Sequence, residues 1–509
     1  MSDDAVAELL RSNSPLVLIE ASAGCGKTYQ GAAYAKDIAG TMGRGRLLIL
    51  THTHAACGVF ADRTKNAGTG VEIKTIDALI GQIATAYHKS LGLPASLTSW
   101  AWQNGGEGFD IMSAKVAVFL AAQPTVVNAL ARRYPVIICD EHQDSTADQH
   151  SVVMALHTGG ALLRIFGDPM QRIYGQKTDK AARVDQQRWE ALKQSAAYGT
   201  LDHPHRWKDG CPDLGKWVLD ARAALESGQP IDLTAAPPKS LRLFTADNIS
   251  QSRDGYQLSA SHRKPIDAHV REQRQLMVLA PHNPLVGALH AFWNRSIPIW
   301  EGHTRDALAA LVNVTQAKSG DASALAGALL GFVGNVAVGF SPSSHGDRFM
   351  KEVKEGCTRK TTGKPANIQT MARAIIERPS HIGVAAALDI MRSLVEKKGA
   401  GFDDIKIDHR TEFRDAIRIG QFADAQEGFA EIARKRSYAR PSPPARVLSS
   451  IHKAKGLECD HAMIVGCDKA QFSGSLYARC RMYVALSRAK KSLTLVLPTM
   501  NSSPLFKVQ

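Results

Sequence analysis

A glycine-rich stretch near the N-terminus contains the residue types that bind phosphate. The stretch reads Ala21-Ser22-Ala23-Gly24-Cys25-Gly26-Lys27-Thr28. It lies between the apolar run Leu16–Ile19 and a helical segment predicted to begin at Tyr29, which is the context of a phosphate-binding loop. Glycines let backbone N–H groups point at phosphate oxygens, and the helix N-terminus adds partial positive charge. We expect Lys27 to reach the terminal phosphates of a nucleoside triphosphate and Thr28 to hold Mg²⁺. The alternative is a chance glycine-rich turn, since Ala21 stands where the general pattern has glycine.

Paired carboxylates follow a second apolar run further along the chain. Val136–Cys139 leads directly into Asp140 and Glu141. Asp140 could hold a metal ion through water, and Glu141 could orient or deprotonate an attacking water. Carboxylates at a strand end are otherwise plain helix caps. A later strand enters a Gly-Asp-Pro turn that would bring Gln171 near the γ-phosphate.

Short apolar runs alternate with helical segments over much of the chain, which is typical of α/β proteins with parallel sheets. The predicted strands of the first series are Leu16–Ile19, Leu47–Thr51, Val71–Thr75, Val136–Cys139 and Leu162–Phe166. Those of the second series are Leu241–Phe244, Gln275–Ala280, Val447–Ser450, Ala462–Gly466 and Leu493–Leu497. Alanine-rich or polar helical patterns interrupt both series. We therefore expect two α/β domains, each with an inserted helical region.

Composition favours a polyanionic partner and a reducing compartment. The 509 residues carry 62 Lys and Arg against 48 Asp and Glu, a net charge of +14 that favours nucleic acid as the partner. None of the eight cysteines forms a C-x-x-C pair, so zinc ribbons and iron–sulfur clusters are not indicated. The spread of cysteines, without a signal sequence or a membrane-length apolar run, predicts a cytoplasmic protein. Cys25 is either open to alkylation, with nucleotide giving protection, or a buried inert thiol.

Taken in order, these motifs resemble those of UvrD/Rep-type superfamily 1A DNA helicases. The carboxylate stretch Asp140–Asp144 matches the D-E-x-Q-D form of this family, and Gly167–Gly175 is similar to its third motif. Further similar stretches are Thr51–Ala56, Leu201–Arg206, Val278–Asn283, Ile451–Glu458 and Tyr483–Lys490.

The resemblance implies roles for residues outside the phosphate loop. Arg206 and Arg488 would act as arginine fingers beside Lys27, Asp140, Glu141 and Gln171, and Glu458 would contact the nucleotide ribose, the nucleotide being ATP. Single-stranded DNA, or DNA with a single-stranded tail, would be gripped through backbone electrostatics and stacking. The residues expected to contact it are Thr51, His52, Thr53, Thr75, His452 and Lys453.

The resemblance also implies a domain organisation around two RecA-like P-loop motor domains. Residues 1–80 and 133–200 would form the first motor domain, with a small helical insertion at 81–132. Residues 201–302 and 441–509 would form the second, with a helical insertion at 303–440. Arg206 would then come from the second motor domain, and closure of the cleft between the two would couple hydrolysis to movement, in the 3′ to 5′ direction.

Several positions depart from the family pattern. No glutamine precedes the phosphate loop to read adenine, and His205 replaces a stacking tyrosine. Asp77 stands where the family has histidine, and Gln176 and Lys177 stand where it has an aromatic and an arginine. Without an aromatic side chain at position 176, the grip on a single strand is expected to be weaker. Without the upstream glutamine, the selectivity for a purine nucleotide is left open.

Three functional hypotheses follow from these motifs and departures. The first is an ATP-driven DNA translocase and helicase. The second is a DNA-sensing ATPase subunit with little unwinding of its own, working with a separate nuclease in DNA repair or in antiviral defence. The compact size and reduced insertions of the chain resemble those of the helicase-like subunit of Gabija-type antiphage systems, whose partner is an OLD-family nuclease. The third is a structural DNA-binding protein with a vestigial nucleotide site.

Overall fold

The computed structural model describes residues 1–67, 70–97, 100–101, 104, 107–175, 178–247, 256–301, 305–438 and 442–508. The chain divides into two compact units. The first comprises residues 1–95, 109–300 and 440–509, and the second comprises residues 96–108 and 301–439.

A six-stranded parallel sheet occupies the N-terminal part of the first unit, in the order β3-β2-β4-β5-β1-β6. In chain order, the elements of this part are α1 (Asp3–Arg11), β1 (Leu16–Ala21), α2 (Lys27–Ile38), β2 (Leu47–Thr51), α3 (His54–Arg63), β3 (Val71–Thr75), α4 (Ile76–Ala86), α5 (Glu107–Ala122), α6 (Pro124–Arg133), β4 (Val136–Cys139), α7 (Ala147–Thr158), β5 (Leu162–Gly167), α8 (Asp179–Ser195) and β6 (Ala197–Leu201). The central strands are apolar and buried along their length, as expected for a parallel sheet that is covered on both faces.

A second parallel sheet of five strands lies in the same unit, in the order β12 (Arg446–Ser450), β9 (Leu276–Ala280), β13 (Cys459–Ile464), β14 (Ala489–Pro498) and β8 (Leu241–Ala246). Between residues 212 and 292 the chain forms two strands of this sheet and the elements around them. In order, these are α9 (Pro212–Glu226), β7 (Ile231–Asp232), β8 (Leu241–Ala246), α10 (Ala260–Glu272), β9 (Leu276–Ala280) and α11 (Asn283–Phe292). One hydrophobic core, which includes Trp207 and Tyr483, packs α9 against this sheet, and another fills its opposite face. A short parallel pair, β15 with β7, stands apart from both large sheets.

The second unit is mainly helical in its described part. Its elements after residue 304 are α12 (Asp306–Ala317), α13 (Ala322–Val336), β10 (Ala337–Val338), α14 (Arg348–Glu355), α15 (Lys364–Glu377), α16 (His381–Glu396), β11 (Lys406–Ile407), α17 (Arg410–Ile419) and α18 (Ala425–Tyr438). They surround one hydrophobic core of their own. The chain then returns to the first unit with β12 (Arg446–Ser450), α19 (Ile451–Ala454), β13 (Cys459–Ile464), α20 (Leu476–Leu486), β14 (Ala489–Pro498) and β15 (Phe506–Lys507).

No single helix among the described residues is both long and apolar enough to cross a membrane. The helices α5 and α6 are long and apolar enough only when they are taken together, and they are bent by 101° at their junction.

The predicted α/β class with two RecA-like parallel sheets is confirmed. The predicted domain boundaries stay predictions. The sequence interpretation missed β6, which extends the first sheet beside β1 immediately before Arg206.

Candidate active site

The order of the strands brings four functional loops to one edge of the first sheet. In this parallel sheet, β4, β5, β1 and β6 are successive neighbours, so their carboxyl ends lie side by side. The glycine-rich loop follows β1, the paired carboxylates follow β4, the Gly-Asp-Pro turn follows β5, and Arg206 follows β6. The carboxyl edge of such a sheet is where open α/β folds bind ligands.

The glycine-rich loop curls over the N-terminus of α2. Gly24 and Gly26 have φ angles of +75° and +91°, a region that residues with a side chain rarely adopt. Helix α2 begins at Lys27, two residues before the predicted start at Tyr29. The backbone N–H of Ala23 donates to the Tyr483 hydroxyl at 2.8 Å, so α20 of the second sheet contacts the loop directly.

Lys27 and the two carboxylates form a compact charged cluster. Lys27 is 8% exposed, and its Nζ lies 2.8 Å from Oε1 of Glu141. Glu141 has a φ of +53°, a left-handed conformation that is uncommon outside glycine and is a feature of strained functional positions. Asp140 is buried beside it, and its Oδ1 has no hydrogen-bond partner among the residues that the structure describes.

The cluster shifts the pKa values of its members in opposite directions. Burial, and then the charge of Glu141, raise the pKa of Asp140. Burial also opposes the charge of Glu141, but the ammonium of Lys27 holds the pKa of Glu141 below its ordinary value. The two carboxylates in turn raise the pKa of Lys27 despite its burial. Glu141 is therefore the ionised partner of Lys27, whereas Asp140 forms no ion pair within 4 Å among the described residues.

A divalent cation fits this donor set. An oxygen of Asp140 is buried without a partner, and Mg²⁺ prefers carboxylate and hydroxyl oxygens as ligands. Thr28 follows Lys27 directly at the start of α2, so Thr28 and Asp140 are the residues that would hold the ion. Among the described residues, this site included, no group of three or more His, Cys, Asp or Glu side chains is arranged to hold a metal ion.

Gln171 is held by a network centred on Asp168, which is fully buried. Gln171 Nε2 donates to Oδ2 of Asp168 at 2.8 Å, and the Asp168 backbone N–H donates to Oε1 of Gln143 at 3.0 Å. Gln143 in turn donates through Nε2 to Oε2 of Glu141 at 2.5 Å. The network therefore links the turn after β5 to the carboxylate pair after β4. Gln143 was not predicted as a site residue, although it lies within the D-E-x-Q-D stretch.

Arg206 connects the phosphate loop to the second sheet. Its backbone N–H donates to the Gly24 carbonyl at 3.1 Å. Its guanidinium donates to the Ser487 carbonyl at 2.6 Å and to Oε1 of Glu458 at 2.7 Å. Burial opposes the charge of Glu458, but Arg206 holds the pKa of Glu458 below its ordinary value. Glu458, which the resemblance assigns to the ribose, is therefore paired with an arginine.

Arg488 lies close by but is bound within its own domain. It is 2% exposed and donates to the carbonyls of Val484 and Leu457 at 2.8 and 3.1 Å. Burial, together with the nearby charge of Arg206, lowers the pKa of Arg488 to about 10. Its guanidinium would have to exchange these carbonyl contacts to reach a phosphate.

A second cross-sheet contact joins Lys455 to the carboxylate stretch. Lys455 Nζ lies 2.7 Å from Oδ1 of Asp144 and 2.7 Å from the carbonyl oxygen of Gln171. Both side chains of this ion pair are buried. Neither residue was predicted as a site residue, because the sequence does not show which charges of two different motifs will meet.

The predicted DNA contacts on the first sheet already have partners within the protein. Thr53 and Thr75 accept hydrogen bonds that cap α3 and α4, and Thr51 Oγ1 donates to the Thr53 carbonyl at 3.0 Å. The His52 ring bonds to the Ser145 hydroxyl at 3.0 Å, and burial lowers the pKa of His52. These four side chains lie at the carboxyl ends of β2 and β3, as the sequence predicts.

The predicted DNA contacts on the second sheet lie in α19, beside two tyrosines, of which Tyr174 is exposed. His452 bonds through Nε2 to the Tyr477 hydroxyl at 2.7 Å, and its carbonyl accepts from the Tyr174 hydroxyl at 3.1 Å. Lys453 follows in the same short helix. Tyr174 is 44% exposed, and its ring centroid lies 6.4 Å from that of His452. Tyr174 could have been predicted because it lies in the third motif, whereas Tyr477 has no sequence signal.

The positions that depart from the family pattern have local partners where the structure describes them. Asp77 accepts a hydrogen bond from Gln149 Nε2 at 2.7 Å, and the His205 ring bonds to Oδ2 of Asp3 at 2.7 Å. Gln176 and Lys177 lie outside the described residues.

Two further side chains beside the nucleotide loop are packed into the interior. Trp207, next to Arg206, is fully buried and donates through Nε1 to the Ala489 carbonyl at 2.7 Å, so it packs rather than stacks on bases. Cys25 is 1% exposed, and burial raises the pKa of its thiol to about 12. The structure therefore favours a buried inert thiol over one that is open to alkylation.

Two family models match the chain. One described as an AAA domain matches residues 3–177, which include Lys27, Asp140, Glu141 and Gln171. One described as a UvrD-like helicase C-terminal domain matches residues 446–496, which include Glu458 and Arg488. No curated protein matches the chain.

Proposed function

The chain belongs to the UvrD/Rep-type helicases, and we propose that it is an ATP-driven translocase that moves 3′ to 5′ along single-stranded DNA and unwinds duplex ahead of it. The strongest support is the cluster of Lys27, Glu141 and Asp140 at the carboxyl edge of the first sheet, with Arg206 beside the phosphate loop. This is the constellation that phosphoryl transfer requires, namely a cationic phosphate cradle, a carboxylate for water and a mobile arginine.

The geometry indicates how nucleotide binding would begin. The phosphates of ATP would compete with Glu141 for the ammonium of Lys27, because both anions need the same buried cation. Glu141, released from Lys27 but still held by Gln143, would then be free to accept a proton from water. Mg²⁺, when bound, would neutralise charge on the phosphates.

The two arginines would reach the nucleotide by exchanging the contacts that they now make. Arg206 is anchored to Gly24 by its backbone, so its guanidinium only has to exchange Glu458 and Ser487 for the γ-phosphate. Arg488 would likewise exchange the carbonyls that it now binds. Charge stabilisation by arginine would then depend on the contact between the two sheets, which couples hydrolysis to movement.

ATP hydrolysis by the purified chain, with and without single-stranded DNA, tests this proposal. We expect strong stimulation by DNA that is abolished in Lys27→Ala. Lys36→Ala is the matched control, because Lys36 is exposed at the far end of the same helix. Unwinding of a duplex with a 3′ tail, but not one with a 5′ tail, is expected for the proposed direction. Equal hydrolysis by the two lysine variants, or unwinding from the 5′ tail alone, would contradict the proposal.

A second candidate function is a DNA-sensing ATPase subunit that works beside a separate nuclease. The observation that favours it is the internal bonding of Thr51, His52, Thr53 and Thr75, which leaves fewer free groups to grip a strand. DNA would then stimulate hydrolysis without robust unwinding. Strand displacement by the chain alone, compared with the chain plus its nuclease partner, separates the two candidates, because robust unwinding by the chain alone excludes the second.

A further inference from the structure

An arginine outside the predicted motifs contacts the network that holds Gln171. Arg222 Nη2 donates to Oδ1 of Asp168 at 2.9 Å and to Oε1 of Glu20 at 3.0 Å. Its Nη1 donates to Oε2 of Glu226, one turn further along the same helix, at 2.7 Å. The side chain of Arg222 is 11% exposed, and that of Asp168 is fully buried. The guanidinium therefore binds two carboxylates of the first sheet from a single position.

The helix that carries Arg222 belongs to the packing of the second sheet. In α9, Leu214, Val218, Ala221 and Leu225 are buried in the core that also contains Tyr483. Glu20 lies near the end of β1, and Asp168 follows β5. Arg222 is thus a side chain from a helix of the second core that binds carboxylates at the functional edge of the first sheet.

Asp168 links Arg222 to Gln171 and Glu141, the two side chains that are proposed to act on the nucleotide. Its Oδ1 accepts from Arg222 and from the Met170 backbone N–H, and its Oδ2 accepts from Gln171 Nε2. Its own backbone N–H donates to Gln143, which donates to Glu141. A displacement of α9 would therefore move the Asp168 carboxylate and alter the orientation of Gln171 and Glu141 together.

We propose that Arg222 is a positioning residue for the ATP hydrolysis proposed above, one that aligns Gln171 and Glu141 through Asp168 according to the position of α9. Arg222 itself does not touch the nucleotide. Its guanidinium binds Asp168 and Glu20 through Nη2 and Glu226 through Nη1, and lysine, which has a single nitrogen on a flexible stem, cannot reproduce contacts that two nitrogens make from a fixed plane. Loss of these contacts should slow the chemical step while phosphate binding by the glycine-rich loop stays intact.

Steady-state hydrolysis by Arg222→Lys at saturating single-stranded DNA tests this role. We expect kcat to fall about tenfold, which corresponds to about 1.4 kcal/mol of barrier, while the KM for ATP stays within about twofold. Arg222→Met should lose more, because it leaves Asp168 without its charged partner. Glu20→Gln is the matched control: it disturbs the same guanidinium through the carboxylate that does not contact Gln171, and its kcat should stay within about twofold of wild type.

A double variant separates positioning from general destabilisation. In a Gln171→Ala background, Arg222→Lys should have less than half of its effect on log kcat, because part of the group that it positions is absent. The inference would be overturned if the effects of the two substitutions on log kcat were fully additive. It would also be overturned if Glu20→Gln lost as much kcat as Arg222→Lys and the losses were proportional to the loss of thermal stability. A wild-type chain without DNA-stimulated hydrolysis would overturn the proposed function and this inference together, whereas a wild-type kcat in Arg222→Lys would overturn the inference alone.

Discussion

Gly24→Ala, which adds a single methyl group, tests the geometry of the glycine-rich loop. A Cβ at Gly24 would lie 2.6 Å from Cβ of Arg206 and 3.0 Å from Cζ3 of Trp207. Neither neighbour can move away easily, because Cβ of Arg206 is fixed to a backbone bonded to Gly24 and Trp207 is fully buried. Gly24→Ala should therefore push the turn that carries Arg206 away from the loop.

The expected cost has two parts that a control can separate. A side chain at a φ of +75° costs about 1–2 kcal/mol, and crowding in a packed site costs about 1–3 kcal/mol more. Gly43 has a φ of +57°, and a Cβ there would meet no atom within 4 Å, so Gly43→Ala carries the conformational cost alone. We expect Gly24→Ala to destabilise the chain by about 1–3 kcal/mol more than Gly43→Ala.

Thermal and denaturant unfolding of the nucleotide-free protein measures this difference. The chain has two compact units, so the transition that reports the first unit is the one to compare. ATP turnover in Gly24→Ala should also fall, because Arg206 is displaced, while Gly43→Ala should hydrolyse ATP like the wild type. If the two variants unfold at the same midpoint and turn over at the same rate, the contact between Arg206 and the loop does not exist as described.

Three further predictions concern the charged groups of the site. Glu141→Gln should lower ATP turnover about a hundredfold or more while nucleotide affinity stays within about threefold, since the amide can bond but cannot accept the proton of water; turnover within tenfold of wild type contradicts this. The raised pKa of Asp140 means that the folded, metal-free chain holds this proton more tightly than the unfolded chain. The stability that protonated Asp140 contributes is therefore complete below the ordinary carboxyl pKa and is lost as the pH rises through the raised pKa. Unfolding midpoints should thus fall more between pH 5 and pH 8 in the wild type than in Asp140→Asn. Equal falls in the two proteins would refute the raised pKa of Asp140. Lys455→Met should destabilise the chain by about 3–5 kcal/mol by leaving Asp144 buried and unpaired, and Lys455→Met combined with Asp144→Leu should recover most of that loss, whereas additive losses would show that the pair is not coupled.

The strands were largely predictable because buried parallel strands are continuous apolar runs. The predicted bounds of Leu47–Thr51 and Val136–Cys139, which are buried throughout, agree with the observed strands. Those of the edge strand Val71–Thr75 also agree, because Glu72 and Lys74 alternate with apolar residues in the period of a half-buried strand. The edge strand Ala197–Leu201 was missed, since its mixed, half-buried sequence gives no such run. Strand β14 begins at Ala489 rather than at the predicted Leu493, because Lys490 and Lys491 near its start do not belong to the apolar run that predicted the strand.

The places of the site residues were predictable, but their partners were not. Motif order along a parallel sheet fixes which loops share an edge, and this explains why Lys27, Glu141 and Gln171 lie near one another. Pairing depends on side-chain direction and on contacts between distant segments. Arg206 with Glu458 joins residues 252 positions apart, and Arg222 with Asp168 joins residues 54 apart, and no local spacing encodes either contact.

The charged side chains of the site form ion pairs with one another, and the exchange of these pairs would contribute to driving the motor. Lys27 binds Glu141, Arg206 binds Glu458, and Arg222 binds Asp168, so each of these cations already has a carboxylate partner. On the proposed function, a polyanionic nucleotide would break at least the first two pairs, because its phosphates would need those cations, and the carboxylates released would then need other partners. Glu141 would be released towards water, where its charge is useful for catalysis, whereas Glu458 would be released on the second sheet. Hydrolysis and phosphate loss would restore both pairs, and since one of them joins the two sheets, the exchange of ion pairs is itself a means of opening and closing the cleft.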